Sequence, residues 1–187
     1  MFCGIDFGSR KAGTTAICWQ EQRLHLCCCK QGQDADQFLE SWVAVKQPSE
    51  IYIDAPLSLP AALYGKGDDY MFRDCDRALK AMSPMFLGGL TARAIRLKDL
   101  WQQMGIQVFE VYPGGCIRSK YSDLAILYKK DITTFLLQLQ ARLKTQFDRK
   151  PINWHEVDAL LAWEIGARHQ LRDALSAGDP TEGLIFY

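Results

Sequence analysis

Four acidic residues carry the chemistry open to this sequence. Asp6 closes the apolar run FCGI, Asp54 closes EIYI, Glu110 lies within IQVFEVY, and Asp158 lies within HEVDALLAWEI. Breakers follow the first two at once: Gly8, Ser9 and Gly13 after Asp6, and Ala55-Pro56 after Asp54. Each of these acids therefore stands at the mouth of a strand. Carboxylates gathered in one place repel one another and retain protons unless a cation neutralises them. Hard divalent cations prefer oxygen ligands, so Mg²⁺ or Mn²⁺ suits such a group better than zinc. Two such ions about 4 Å apart hold a phosphodiester, activate a water and stabilise the leaving oxygen. The expected chemistry is phosphodiester hydrolysis, with Asp6, Asp54 and Asp158 as catalytic acids and metal ligands and Glu110 as a further metal ligand.

Each acid also has an ordinary reading. Acids at strand ends and helix starts cap, turn and solvate the chain. Glu110, inside a strand, equally suits a partly buried pair with a base. His155 and Glu156, beside Asp158, read as capping or surface residues, and either suits a proton shuttle. Only joint placement at one edge separates a site from four unrelated acids.

The elements that would position them follow from periodicity and punctuation. Phe2–Ile5, Thr14–Trp19 and Arg23–Lys30 read as an antiparallel meander of three strands. Phe38, Leu39, Trp42, Val43 and Val45 fall at near-helical spacing after Asp34, and Pro48 closes that helix. Glu50–Asp54 is then a fourth strand, and a helix between strands implies a parallel crossover onto strand one. Leu57–Pro84 is long and irregular, with a short helix expected over Asp74–Met82; loops of this length are usually functional. Gly65-Lys66-Gly67 lacks the residues of a phosphate-binding P-loop.

Leu90–Met104 is a helix ended by Gly105, and Ile106–Tyr112 is a fifth strand broken by Pro113-Gly114-Gly115. Asp131–Phe147 and Trp154–Leu171 are closing helices, and Leu184–Tyr187 is a short apolar run of strand character. Parallel pairing of strands one and four sets Asp6 and Asp54 on the same edge, where open α/β sheets place their sites. The last helix is expected to be amphipathic, with Val157, Leu160, Leu161 and Ile165 on the sheet and Asp158 over that edge. The fold class is α/β: a five-stranded mixed sheet, three antiparallel strands then two parallel, with helices on both faces.

Length and composition agree with one domain over 1–187, since 187 residues bury a full core and no linker divides them. Net charge is +0, so any nucleic-acid surface has to be local. Seven cysteines appear without a leader pattern at the start, which favours reduced thiols and a cytoplasmic protein. Cys27, Cys28 and Cys29 are adjacent, the wrong spacing for a zinc knuckle. No run is long enough to span a bilayer.

Taken together, GIDFGSRKAGTTA, IYIDAPLSLP, FRDCDRALKAMSPMFLGGLTARAIRL, EVYP, HEVDALLAWEI and GDPTEGLIFY resemble an uncharacterised family described as predicted RNase H-like nucleases. The resemblance runs nearly end to end. It implies the ribonuclease H-like fold, shared with Holliday-junction resolvases, transposases and integrases. In those enzymes a first-strand Asp, an acid on strand four and an acid on a late helix bind the metal pair; by motif position these match Asp6, Asp54 and Asp158.

Basic residues of the middle segment extend this reading. Arg73, Arg77, Arg93 and Arg96 suit phosphate oxygens, because a guanidinium offers two parallel donors, and Ser9 lies in the turn after Asp6. Ser9, Arg73, Arg77 and Arg93 are the expected substrate-binding residues. The ordinary alternative pairs the arginines with the interleaved Asp74, Asp76 and Asp99. Tyr64 and Tyr70 suit base stacking.

The leading expectation is a Mg²⁺- or Mn²⁺-dependent nuclease acting on nucleic acid as a monomer or homodimer, away from membranes. One alternative is a nucleotide- or phosphate-binding protein related to the actin-like ATPase fold, since D-F-G-S resembles its first phosphate loop, although this chain has room for only one such domain. The other is a non-catalytic module of the same RNase H-like fold.

Overall fold

A computed structural model describes residues 1–143 and 145–187. The first strands, β1 (Phe2–Asp6), β2 (Ala16–Gln20) and β3 (Leu24–Cys28), form the expected meander, with β1–β2 and β2–β3 both antiparallel. Helix α1 (Ala35–Lys46) starts on Asp34, whose side chain accepts from the Asp36 and Gln37 amides. It returns the chain to β4 (Glu50–Asp54), which lies parallel to β1 with Asp6 opposite Asp54.

The long middle segment is more ordered than its composition suggests. It contains a 3-10 turn at Ala61–Tyr64 and two short helices, α2 (Asp74–Leu79) and α3 (Pro84–Leu87). The helix expected to reach Met82 stops at Leu79, because Lys80 takes a left-handed conformation with φ 51°. Helix α4 (Gly89–Gln103) leads into β5 (Gln107–Val111), parallel to β4.

Among the described residues the sheet has seven strands rather than five. Its order is β3-β2-β1-β4-β5-β7-β6, the added pair being β6 (Ser176–Asp179) and β7 (Gly183–Phe186). The apolar tail becomes β7, parallel to β5, and β6 folds antiparallel onto its outer side. Pro113-Gly114-Gly115 does break β5, but it also opens α5 (Pro113–Lys120), since proline is well suited to a first helical turn. Helix α6 (Ile132–Leu143) is shorter than the expected Asp131–Phe147. Gln146 and Asp148 instead bond to Leu24, covering the edge of β3.

Helices cover both faces. On one, Cys3, Ile5, Ile51 and Ile53 pack with Leu39 and Val43 of α1 and Ala94, Leu97 and Trp101 of α4. On the other, Tyr52 and Val111 meet Cys116 and Ile117 of α5, Phe135 and Leu139 of α6, and α7 (Trp154–Gln170). Alternate residues of β1 and β4 thus serve opposite cores, as the two-residue pleat requires.

Helix α7 departs from the amphipathic expectation: every residue from Glu156 to Gly166 is buried. It is a central helix roofed by α5 and α6, and such helices carry apolar residues all round. Two glycines let it sit close to the sheet. A Cβ on Gly4 of β1 would lie 2.1 Å from Trp163 N and 2.4 Å from Ala159 O, and one on Gly166 would meet the Tyr52 ring at 2.5 Å. This close seat fixes the height of Asp158 over the strand ends.

Candidate active site

The site grows from the C-terminal ends of β1 and β4. Parallel register places Asp6 beside Asp54, and α7 begins over that edge after Asn153 accepts from the Glu156 amide at 2.9 Å. Two residues into the buried stretch, Asp158 faces the same edge. The Tyr128 hydroxyl donates to Asp158 Oδ1 at 2.6 Å, and the Lys129 ammonium bonds Oδ2. His155, one turn ahead on α7, holds Nδ1 2.8 Å from Asp6 Oδ2.

Electrostatics bind these acids into one group. Burial pushes the Asp6, Asp54 and Asp158 carboxyls above the usual carboxylate range. Asp54 is raised well above it, because the charges of Asp6 and Asp158 add to its burial. Asp158 is raised by Asp6 as well, with Lys129 pulling the other way. His155 is raised, chiefly by its bond to Asp6. Among the described residues Asp54 accepts no hydrogen bond, so it is the acid with least local support.

Among the described residues, no three His, Cys, Asp or Glu side chains stand ready as a metal-binding cluster. Lys129 holds one oxygen of Asp158, and His155 holds one of Asp6. The donor chemistry nevertheless fits a hard divalent cation. Asp6 and Asp54 are register neighbours, Asp158 lies near enough for its charge to raise Asp54, and the groups answering these acids are Lys129 and His155.

The other expected residues divide. Glu110, 7% exposed, is engaged by Arg73: Nη2 donates to Oε1 and Nη1 to Oε2, both at 2.7 Å, and the Leu57 amide donates to Oε2 at 2.8 Å. It lines the same cleft as Asp6 and Asp54 but is held by a base. Arg73 is corrected from the expected substrate role, because it is 0% exposed and its guanidinium is shared among Asp76, Glu110 and Ser58. Arg77 lies on α2 and pairs with Asp69, its Nε at 2.6 Å, over the Phe72 ring.

Arg93 bonds Asp36 and the Gly8 carbonyl and lies over the Phe7 ring, so it braces the turn after β1. Arg96 pairs with Glu40 at 2.7 Å. Ser9 is exposed in that same turn, three residues past Asp6. Glu156 takes the ordinary role: Arg149 and the Ile152 amide satisfy its carboxylate.

Tyr128 and Lys129 went unseen in the sequence, where no spacing relates them to Asp158. Lys129 adopts φ 64°, a left-handed conformation that long side chains avoid and that recurs at functional positions. Its ammonium also lies 5.2 Å from the Tyr128 ring centroid and 5.9 Å from that of Trp154.

Residues 4–87 match the family model described as protein of unknown function, DUF429. The matched stretch carries Asp6, Asp54 and the Arg73–Asp76 pair, and it stops short of Glu110 and Asp158. No curated protein and no solved structure matches the chain. No helix among the described residues is long and apolar enough to cross a membrane.

Proposed function

We propose that this protein is a Mg²⁺- or Mn²⁺-dependent phosphodiester hydrolase acting on nucleic acid, built on a ribonuclease H-like sheet. One observation carries the reading: Asp6, Asp54 and Asp158 come from three separate elements toward one strand edge, and burial raises all three carboxyls, with repulsion from neighbouring acids adding to it at Asp54 and Asp158. Natural proteins keep such an arrangement where it is used, because it costs stability.

Asp6, Asp54 and Asp158 would hold the metal. When bound, it supplies the positive charge that neutralises the three acids, polarises a phosphoryl group and acidifies a water. The chain's own residues orient and exchange protons. Tyr128 fixes Asp158 through a 2.6 Å hydrogen bond. His155, with Nδ1 on Asp6, leaves Nε2 to give or take a proton at the same edge. Lys129 is placed to neutralise charge on a phosphate or on Asp158 itself.

A second reading is favoured by one observation: Lys129 and His155 already answer two of the acids. On that reading the fold is a non-catalytic binding module. The test is a cleavage screen with Mg²⁺ and Mn²⁺ over DNA, RNA, hybrid and branched substrates, with Asp6→Asn and Asp54→Asn alongside. The nuclease reading expects metal-dependent cleavage lost in both variants. Absence of cleavage throughout, or activity unchanged by both substitutions, would move the assignment to the binding module.

A further inference from the structure

Next to the cleft that holds Asp6 and Asp54 lies a second hollow, of about 300 Å³ and of opposite charge. Its charged side chains are Lys80 and Arg118, and among the described residues no carboxylate side chain lines it. Neither cation is neutralised elsewhere: among the described residues no salt bridge includes Lys80 or Arg118. Tyr187 also lines the hollow; its main-chain carboxyl takes the Leu175 amide at 3.1 Å and pairs with neither cation. By contrast Arg73, Arg77, Arg93 and Arg96, the cations expected to meet phosphate, are all spent on acids.

Both cations are held in place. Arg118 of α5 donates from Nη2 to the Leu79 carbonyl at 2.8 Å and lies over the Tyr112 ring, 5.1 Å from its centroid. That bond closes the C-terminal end of α2 and uses one N–H of the five a guanidinium offers. Lys80 ends α2 with φ 51°, a conformation that favours glycine and strains a lysine. The ordinary role of both is to complement the negative end of that helix. Strain retained for the sake of a side chain marks positions where the side chain is used. Ser119 spends its hydroxyl proton on the Gly115 carbonyl at 3.0 Å, so the donors facing the hollow are the two cations.

The hollow and the cleft share a wall. Lys80 runs directly into Ala81 and Met82, which line the cleft, and Tyr112, under Arg118, lines it too. A strand lying across that wall sets one phosphate at the acids and a flanking one between an ammonium and a guanidinium, a pair of donors suited to its oxygens. We propose that the pocket of Lys80 and Arg118 seats this flanking backbone phosphate and so fixes where a nucleic-acid strand lies over the acids. The inference rests on the nuclease reading for the identity of the strand, whereas the anion site rests on the pocket alone.

The test is fluorescence anisotropy of a labelled oligothymidylate in EDTA, which prevents cleavage, repeated over a series of salt concentrations. Lys80→Gly and Arg118→Gln should each weaken binding about three- to tenfold at low salt, and each should shallow the slope of log affinity against log salt by about 0.7. Arg23→Gln removes an equal charge from the exposed turn between β2 and β3, at the opposite sheet edge, and should change neither. Glycine suits the left-handed backbone at position 80, so the thermal midpoint of Lys80→Gly should hold or rise, which separates lost binding from lost folding. Thymidine monophosphate is a further arm, separating a free phosphate ester from one within a strand.

No binding of the strand, a salt slope unchanged in both pocket variants, or an equal loss in Arg23→Gln would overturn the pocket. Thymidine monophosphate binding as tightly as the strand would overturn the strand as its occupant. Cleavage in Mn²⁺ reads the other proposal separately. Strand binding sensitive to Lys80→Gly, without cleavage, removes the nuclease and keeps the pocket. Cleavage with a KM that neither pocket variant shifts removes the pocket and keeps the nuclease.

Discussion

Asp54→Asn should make the protein more stable. Asp54 accepts no hydrogen bond among the described residues, while Asp6 has His155 and Asp158 has Tyr128 and Lys129. Its carboxyl is raised well above the ordinary 3.8 by burial, then by the charges of Asp6 and Asp158. Asparagine keeps the shape and removes the charge. Ionising a desolvated carboxyl beside other acids costs about 1–3 kcal/mol, and asparagine avoids that cost at any pH where Asp54 would be charged. For a chain of this length each 1 kcal/mol moves the thermal midpoint by about 2–4 °C, which gives a gain of about 2–12 °C.

The pH dependence has a definite sign. An acid with a raised folded value adds stability in full below its unfolded value, and that stability is lost as pH climbs through the raised value. Wild-type stability attributable to Asp54 should therefore decline as pH rises from about 4, and the variant should decline less. Scanning calorimetry between pH 4 and pH 8 reads both effects. A midpoint lowered by Asp54→Asn at neutral pH would refute the reasoning, because the charge would then be serving the fold.

Other substitutions probe the supports of the site. Arg73→Met should destabilise by about 3–5 kcal/mol in a denaturant titration, since it strands Asp76 and Glu110 as buried charges; a loss below 1 kcal/mol would contradict that account. Gly4→Ala should cost at least about 2 kcal/mol, because the new methyl meets backbone atoms of α7 that do not yield; an unchanged midpoint would show that α7 has room to shift. Lys129→Gly keeps the left-handed backbone and removes the ammonium competing for Asp158. It should tighten Mn²⁺ binding by a few-fold, read by paramagnetic resonance, and weaker binding would mean that Lys129 helps to assemble the site.

Much of the frame was legible because local signals agreed with the global fold. β1 to β4 are short apolar strands bounded by glycine, proline or acids, and the helix between β3 and β4 dictates the parallel pairing that sets Asp6 beside Asp54. The outer edge was hidden. β6 reads Ser-Ala-Gly-Asp, four residues with no strand signature, and its pairing comes from the partner strand rather than its own sequence. Helix α5 was masked by two glycines, one of which packs so closely that a Cβ there would lie 3.0 Å from the Tyr187 Cβ.

The acids were visible by position; of their partners, Asp76 for Arg73 was weighed, whereas Tyr128 and Lys129 for Asp158 were not. Arg73 was open to two readings, a phosphate contact or a pair with interleaved acids such as Asp76; it pairs with Asp76, and also with Glu110, which lies 37 positions away and meets it only through folding. Lys129 reaches Asp158 across 29 positions, and only its backbone conformation marks it. Sequence spacing reports neighbours on one element, and these contacts join different elements.

The central claim is that Asp6, Asp54 and Asp158 form one cation site. Isothermal titration of Mn²⁺ into wild type and Asp54→Asn, in two buffers of different ionisation enthalpy, tests it most directly. Saturable binding with proton release is predicted for wild type, because carboxyls held above their usual range must deprotonate to ligate, and affinity should fall by at least about tenfold in the variant. Absent binding, or equal binding in both proteins without proton release, would contradict it.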